Sequence, residues 1–216
     1  MSTAKSRQLP QPIDLQGQYI FLKTLKTSIH AADLWEVLQG QNVVWKYLMN
    51  GPYADEKSFF NWVSDCENHK SRIYFAVIDL SSGKALGLLS LMDYNSEHGT
   101  VEVGGIVFSP KLQKTRMASE AIYLLGNYVF DELGYRRFQW KCNNENQASK
   151  KAAERFGFVF EGVFRQHMIL KGENRDTAYF SIVDGEWELC KSGFKKWLEM
   201  SNFDERGQQK SKLMIR

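Results

Sequence analysis

The chain has 216 residues, 43% of them hydrophobic, and its 28 basic and 25 acidic side chains leave a net charge of +3. That apolar content supports one packed domain and excludes global disorder. So even a charge balance argues against nucleic acid as the main partner.

No run is apolar enough to span a membrane, and the polar opening "MSTAKSRQLPQPIDLQGQ" lacks the apolar core of a signal peptide. The three cysteines, Cys66, Cys142 and Cys190, are scattered and show no metal-ligand spacing. Neither a disulfide framework nor a metal site is expected, and a reducing, cytoplasmic setting is.

Residues 1–16, with Pro10 and Pro12, read as a loose lead-in. "QYIFLKTLK" (18–26) alternates as a strand. "HAADLWEVLQG" (30–40) and "ADEKSFFNWVSDCENHK" (54–70) carry helical spacing. The period then changes. "RIYFAVIDL" (72–80), "ALGLLSLMDY" (85–94) and "TVEVGGIVF" (100–108) read as strands joined by short turns, hence antiparallel. Residues 117–133 form the longest helical stripe, through Ala118, Ala121, Ile122, Leu125, Tyr128, Val129 and Leu133. "RRFQWKCN" (136–143) is a strand, and "NQASKKAAERFG" (146–157) is a helix closed by Gly157.

Two strands follow, "FVFEGVFRQHMIL" and "DTAYFSIVDGEW", separated by the turn "KGENR". A short helix from about Leu189 and a polar, basic tail over 201–216 end the chain. The tail is expected to be solvated and mobile. The expected fold is α/β of the α+β type, with a mixed, mostly antiparallel central sheet flanked by helices in one domain over 17–200. The strand–helix–strand unit around residue 117 implies one parallel pair.

The joint "SPKLQKTRMASEA" (109–121) links a strand to the longest helix. Lys111, Lys114 and Arg116 stand ahead of that helix, and no acidic residue lies between Glu102 and Glu120. A helix start offers unpaired N–H groups and a partial positive charge, which suits an anion. The segment reads either as such a site or as a solvated basic turn. It holds no GxxxxGK[ST] and no GxGxxG.

This strand–loop–helix resembles motif A of the GNAT acetyltransferases, whose pattern is Q/R-x-x-G-x-G/A. Gln113 and Ala118 match its ends. The Glu-bearing strand, "FDELGYRR", the N-x-x-S of Asn146 to Ser149 and "GFVFEG" resemble the RimJ/RimL-like branch, which acetylates protein N-termini. The likeness covers roughly residues 14 to 190. It departs at Arg116, where the family keeps glycine, and at Lys114, where many relatives have another.

The resemblance implies acetyl-CoA as co-substrate, held by Ile106, Val107, Phe108, Gln113, Lys114, Thr115, Arg116, Met117, Ala118, Ser119 and Asn146, with no metal. It implies direct attack of a primary amine on the thioester. Glu102 is the candidate base. The alternative for Glu102 is an ordinary solvent-facing strand residue. Ser149 is the candidate group assisting the thiolate, or else simply a residue suited to a helix start. Backbone N–H groups around Gly104 to Ile106 would hold the oxyanion, or those glycines mark a twist in the sheet. Asn144 or Asn146 would cap the helix.

Trp45, Tyr47, Arg165, Asp176 and Tyr179 are candidates for the acceptor side, with Glu102 and Asp176 as an acidic pair for a cationic amine. Trp45 and Tyr47 suit core or lid packing equally well. His167 reads equally as a plain strand residue, and His30, His69 and His98 show no ligand spacing. Cys142 has no histidine partner that would make it a nucleophile.

At pH 7 an α-amine is about 10% neutral and a lysine only about 0.04%, so a protein N-terminus needs only a modest base. A protein N-terminal amine is therefore the expected acceptor. A small-molecule amine (amino acid, polyamine or antibiotic) and a non-catalytic acyl-CoA-binding module are the rival readings. No nucleic-acid or membrane partner is expected, and the protein is expected to be a monomer or homodimer.

Overall fold

The computed structural model describes residues 7–215. The elements run β1 (Leu15–Gln16), β2 (Ile20–Thr24), α1 (Thr27–Leu38), a 3-10 turn (Asn42–Trp45), α2 (Glu56–Glu67), β3 (Arg72–Asp79), β4 (Ala85–Asn95) and β5 (Thr100–Phe108). Then come α3 (Arg116–Asn127), a π-helical turn (Tyr128–Glu132), β6 (Arg137–Asn143), α4 (Gln147–Arg155), β7 (Val159–Leu170), β8 (Glu173–Val183), α5 (Asp184–Leu198) and a 3-10 turn (Met200–Asn202). The strand order is β1-β2-β3-β4-β5-β6-β8-β7. The pairs β1/β2, β2/β3, β3/β4, β6/β8 and β7/β8 are antiparallel.

The chain divides into two units. One takes residues 10–93 and 103–121. The other takes residues up to Leu9, then 94–102, and everything from Ile122. In the first, β2 packs Ile20 and Leu22 fully out of solvent, with Leu25, Leu34, Phe59, Phe75 and Leu88. Helix α2 begins where Asp55 accepts the Ser58 N–H at 2.8 Å, a side-chain cap of the kind worth about 1 kcal/mol. Trp45, Tyr53, Phe59 and Trp62 form an aromatic cluster with mostly edge-on contacts.

In the second unit the core gathers Leu125, Val129, Phe138, Phe180 and Phe194. The expected single helix over 117–133 is two pieces, because the Leu133 N–H reaches back five residues to the Tyr128 carbonyl. Ring stacking of Trp187 on Phe130 and the absence of a side chain at Gly126 seat α5 against this region. A Cβ at Gly126 would lie 2.6 Å from the Trp187 ring.

Three expectations at the C-terminal end change. The β7–β8 turn is only Lys171 and Gly172, both with positive φ, since Leu170 already pairs with Glu173. Residues 173–175 therefore belong to β8. "DGEW" opens α5 rather than closing a strand, with the Glu186 carboxylate accepting the Val183 N–H at 3.0 Å. The tail is not solvated throughout. The Trp197 indole donates to Gln209 Oε1 and the Ser211 carbonyl, and Leu213 and Ile215 are buried. Its apolar residues Leu213, Met214 and Ile215 were outweighed by basic neighbours in the composition. At the other end, Arg7 donates to the Gly134 carbonyl and Asp14 accepts the Thr24 N–H, so part of the lead-in is tied down.

Candidate active site

In the first unit, β5 breaks its regular course at the glycine pair. Gly105 has φ +57°, and Ser90 Oγ donates to the Gly104 carbonyl at 2.9 Å. A Cβ at Gly105 would meet Ser90 Oγ and the Tyr74 ring at 3.2 Å, so this position favours glycine on both counts. Beyond it, Ile106 and Phe108 are half-buried and Val107 is in the core. The Phe108 carbonyl accepts the Gln113 side-chain amide at 2.8 Å, which ties the loop back to the strand end. This is a structural role for Gln113, in addition to the cofactor role expected of it.

The loop then turns on Lys114, whose φ is +61°. A left-handed position thus falls at residue 114, and the lysine carries its strain. Thr115 caps α3. Its hydroxyl accepts the Ala118 N–H at 3.2 Å and donates to the Leu112 carbonyl at 2.7 Å. Arg116 starts the helix, with its guanidinium stacked 4.2 Å from the Tyr19 ring centroid. Met117 is half-buried, while Ala118 and Ser119 are small and buried.

Glu120 is also buried, and its carboxylate accepts the N–H groups of Gln18, Tyr19 and Ile20 at 2.6, 2.8 and 2.9 Å. Burial nevertheless pushes its pKa up, against those three bonds and the nearby Arg116. Ser109, at the loop's start, buries a hydroxyl with no hydrogen-bond partner. The exposed Lys111 and Lys114 and the N-terminus of α3 suit a phosphate-bearing ligand.

In the second unit, Glu102 lies on the opening half of β5 and is 5% exposed, as buried as the flanking valines. The alternative of a solvent-facing strand glutamate is ruled out. Its Oε2 lies 2.6 Å from the Lys141 ammonium. Lys141 in turn stands over the Tyr179 ring, 5.3 Å from its centroid. Sequence reasoning missed Lys141. The available signal was a lysine between the apolar positions Trp140 and Cys142 of a strand, where long cations are depleted.

His167 joins this group through its ring. Its Nδ1 lies 3.0 Å from Thr177 Oγ1 and its Nε2 lies 3.5 Å from the Tyr179 hydroxyl. Lys141 thus lies between Glu102 and Tyr179.

Ser149 sits on the first turn of α4, which Asn146 caps by accepting the Ser149 N–H at 3.1 Å. Asn146, not Asn144, is the cap. The Trp140 indole donates to Ser149 Oγ at 3.0 Å. That bond occupies a lone pair of the hydroxyl oxygen. Cys142 is buried beside Ser149. Burial pushes its thiol upward, the Ser149 hydroxyl opposes this, and a ready thiolate is disfavoured.

One acceptor-side expectation is corrected. Trp45 is 2% exposed, in the aromatic cluster described above, so it is a core residue. Asp176 accepts the Gln166 N–H at 2.7 Å and the Asn174 amide at 2.9 Å. Those bonds hold its carboxyl below the usual range. Gln166 stands at a register shift of β7 with φ +50°, so Asp176 satisfies a bulge. Tyr47 is half-buried beneath Lys46, and Arg165 is exposed on β7. Among the described residues no helix is long and apolar enough to cross a membrane, and no cluster of metal-ligating side chains occurs.

A strand broken at paired glycines, a basic helix-capping loop after it and a buried carboxylate before it define an acyltransferase type of arrangement. The chain belongs to the GNAT acetyltransferase family, whose domain model, "Acetyltransferase (GNAT) domain", matches residues 20–159. It is 30% identical over 156 residues to the N-acetyltransferase YnaD of Bacillus subtilis, covering 71% of this chain and 88% of that one. It is 28% identical over 109 residues to YdaF of the same organism, covering 50% and 59%. The name of YdaF provisionally assigns it ribosomal N-acetyl transfer. A GCN5-related N-acetyltransferase from Brucella melitensis superposes with a TM-score of 0.96 at 40% identity, over 99% of this chain and 97% of that one.

Proposed function

We propose that this N-acetyltransferase moves the acetyl group of acetyl-CoA to the α-amine of a protein N-terminus. The observation that carries the reading is the buried Glu102 carboxylate with the Lys141 ammonium at 2.6 Å. A carboxylate is a modest base. It suits an α-amine with a pKa near 8, and a lysine near 10.4 would ask about 3 kcal/mol more of it. The provisional name of YdaF supports the same acceptor class.

In this reading the amine nitrogen attacks the thioester carbon. The N–C bond forms, the C–S bond breaks, and the amine proton passes to Glu102, directly or through water. The β5 backbone after Gly105 holds the oxyanion, and the Ser149 hydroxyl donates toward the departing sulfur. Acetyl-CoA supplies the activated acyl group, and residues 106–108 and 113–119 with Asn146 hold it. We place the reaction in the cytoplasm, where the free, buried Cys66, Cys142 and Cys190 would stay reduced.

The test is thiol release from acetyl-CoA with short peptides bearing free or blocked N-termini, and mass-spectrometric mapping of the product. Acetyl on the free α-amine alone, with kcat lowered about 100-fold or more in Glu102→Gln, is expected. Acetyl found only on side-chain or small-molecule amines would sink the acceptor assignment. Acetyl-CoA at about 100 times its Kd should stabilise the protein by about 2.7 kcal/mol, which a thermal shift reads as several degrees.

A further inference from the structure

We infer that Lys141 is a specificity-determining residue that excludes cationic amines, such as polyamines and lysine side chains, by occupying the cation seat beside Glu102. The inference rests on the reading that Glu102 takes the acceptor's proton.

A lone buried carboxylate is a natural seat for an alkylammonium ion. Here that seat is already taken by the chain's own ammonium, 2.6 Å from Glu102 Oε2. The Lys141 side chain is 19% exposed, and it reaches the carboxylate with its head over the Tyr179 ring. Carboxylate and aromatic face are the two features that recognise an alkylammonium. Lys141 therefore occupies both halves of a cation site. Packing alone does not call for this, since a buried ion pair is commonly matched by apolar residues of similar volume.

Tyr179 meets His167, and His167 meets Thr177. Asp176, on the same hairpin, is engaged by Gln166 and Asn174. A polycation approaching Glu102 would have to displace Lys141 or lie against a like charge. An amine arriving neutral, with a neutral substrate around it, meets neither obstacle. This is discrimination by a repulsive element.

The experiment compares kcat/KM for a peptide with a free N-terminus and neutral side chains against kcat/KM for spermidine, using the full chain and acetyl-CoA. The wild type is expected to favour the peptide. Lys141→Gln keeps a hydrogen-bond donor for Glu102 and removes the charge. It should cut the peptide-to-spermidine ratio by about 10- to 100-fold, mainly through a lower KM for spermidine. Lys141→Arg should restore the wild-type ratio. A purely structural role would change both substrates alike.

A wild type that uses spermidine as well as the peptide overturns the inference without any variant, so a poorly folding Lys141→Gln does not shield it. An unchanged ratio in a folded Lys141→Gln overturns it too. Wild-type turnover on no amine at all would instead overturn the underlying acetyl-transfer reading of Glu102. That outcome is distinct, because it appears before any variant is compared.

Discussion

At residue 114 a lysine takes the left-handed conformation that glycine adopts most readily. Its φ of +61° costs about 1 kcal/mol or somewhat more for a residue with a Cβ. Lys114→Gly should therefore leave stability unchanged or raise it by up to about 1 kcal/mol, as read by urea unfolding. A clear loss would show that the lysine side chain compensates its own strain. Gly157 is the opposite case. Its φ is +90°, and a Cβ there would lie 2.7 Å from Ile215 Cγ2 and 2.9 Å from Cys190 Sγ. Gly157→Ala should destabilise by about 2–4 kcal/mol, combining left-handed strain with overpacking. Glycine at a helix end was readable from sequence because its reason is local. The lysine at 114 was visible only as a departure, because nothing local says which of the two non-glycine positions, 114 or 116, bears the positive φ.

At the scale of elements, strands were the most legible. The reading of 100–108 coincides with β5, and 72–80 differs from β3 by one residue, because alternation and β-branched content point the same way there. Helix ends depending on tertiary partners were not legible. The start of α5 at Asp184 is fixed by Glu186 reaching back to Val183, and α3 gives way to a π turn at Tyr128. Of the candidate site residues, the helix-start places of Asn146 and Ser149 were legible from local spacing. The Lys141 contact with Glu102 and the burial of Trp45 were not, because they depend on what another element brings opposite them.

Two carboxylates give the elements opposite pH dependences. Glu161 is held below its ordinary pKa by Arg137 and by the Ser181 hydroxyl, so it contributes stability above pH 4.5 that is lost on acidification. Glu120, raised by burial, binds its proton more tightly folded than unfolded. Its contribution is full below pH 4.5 and declines as pH rises through the raised value. Glu161→Gln should flatten the acid side of a plot of Tm against pH, and Glu120→Gln should remove a decline just above pH 4.5.

Across the molecule, apolar residues near the C-terminal end contribute to the second unit. Ile215 is 5% exposed and lies where Gly157 and Gly193 have no side chains. Ile215→Ala should cost about 2–4 kcal/mol and lower Tm by several degrees in calorimetry. An unchanged Tm would return the tail to the solvated status its composition implied. The six tryptophans are likewise spread over distinct environments, and Trp140 has a specific consequence. Its indole N–H is bonded to the hydroxyl of Ser149. The protein thus carries its own optical probe at that serine: whatever pulls the hydroxyl away changes the polarity sensed by one fluorophore. The part of the emission change on ligand addition that disappears in Ser149→Ala would time events at that group without any added label.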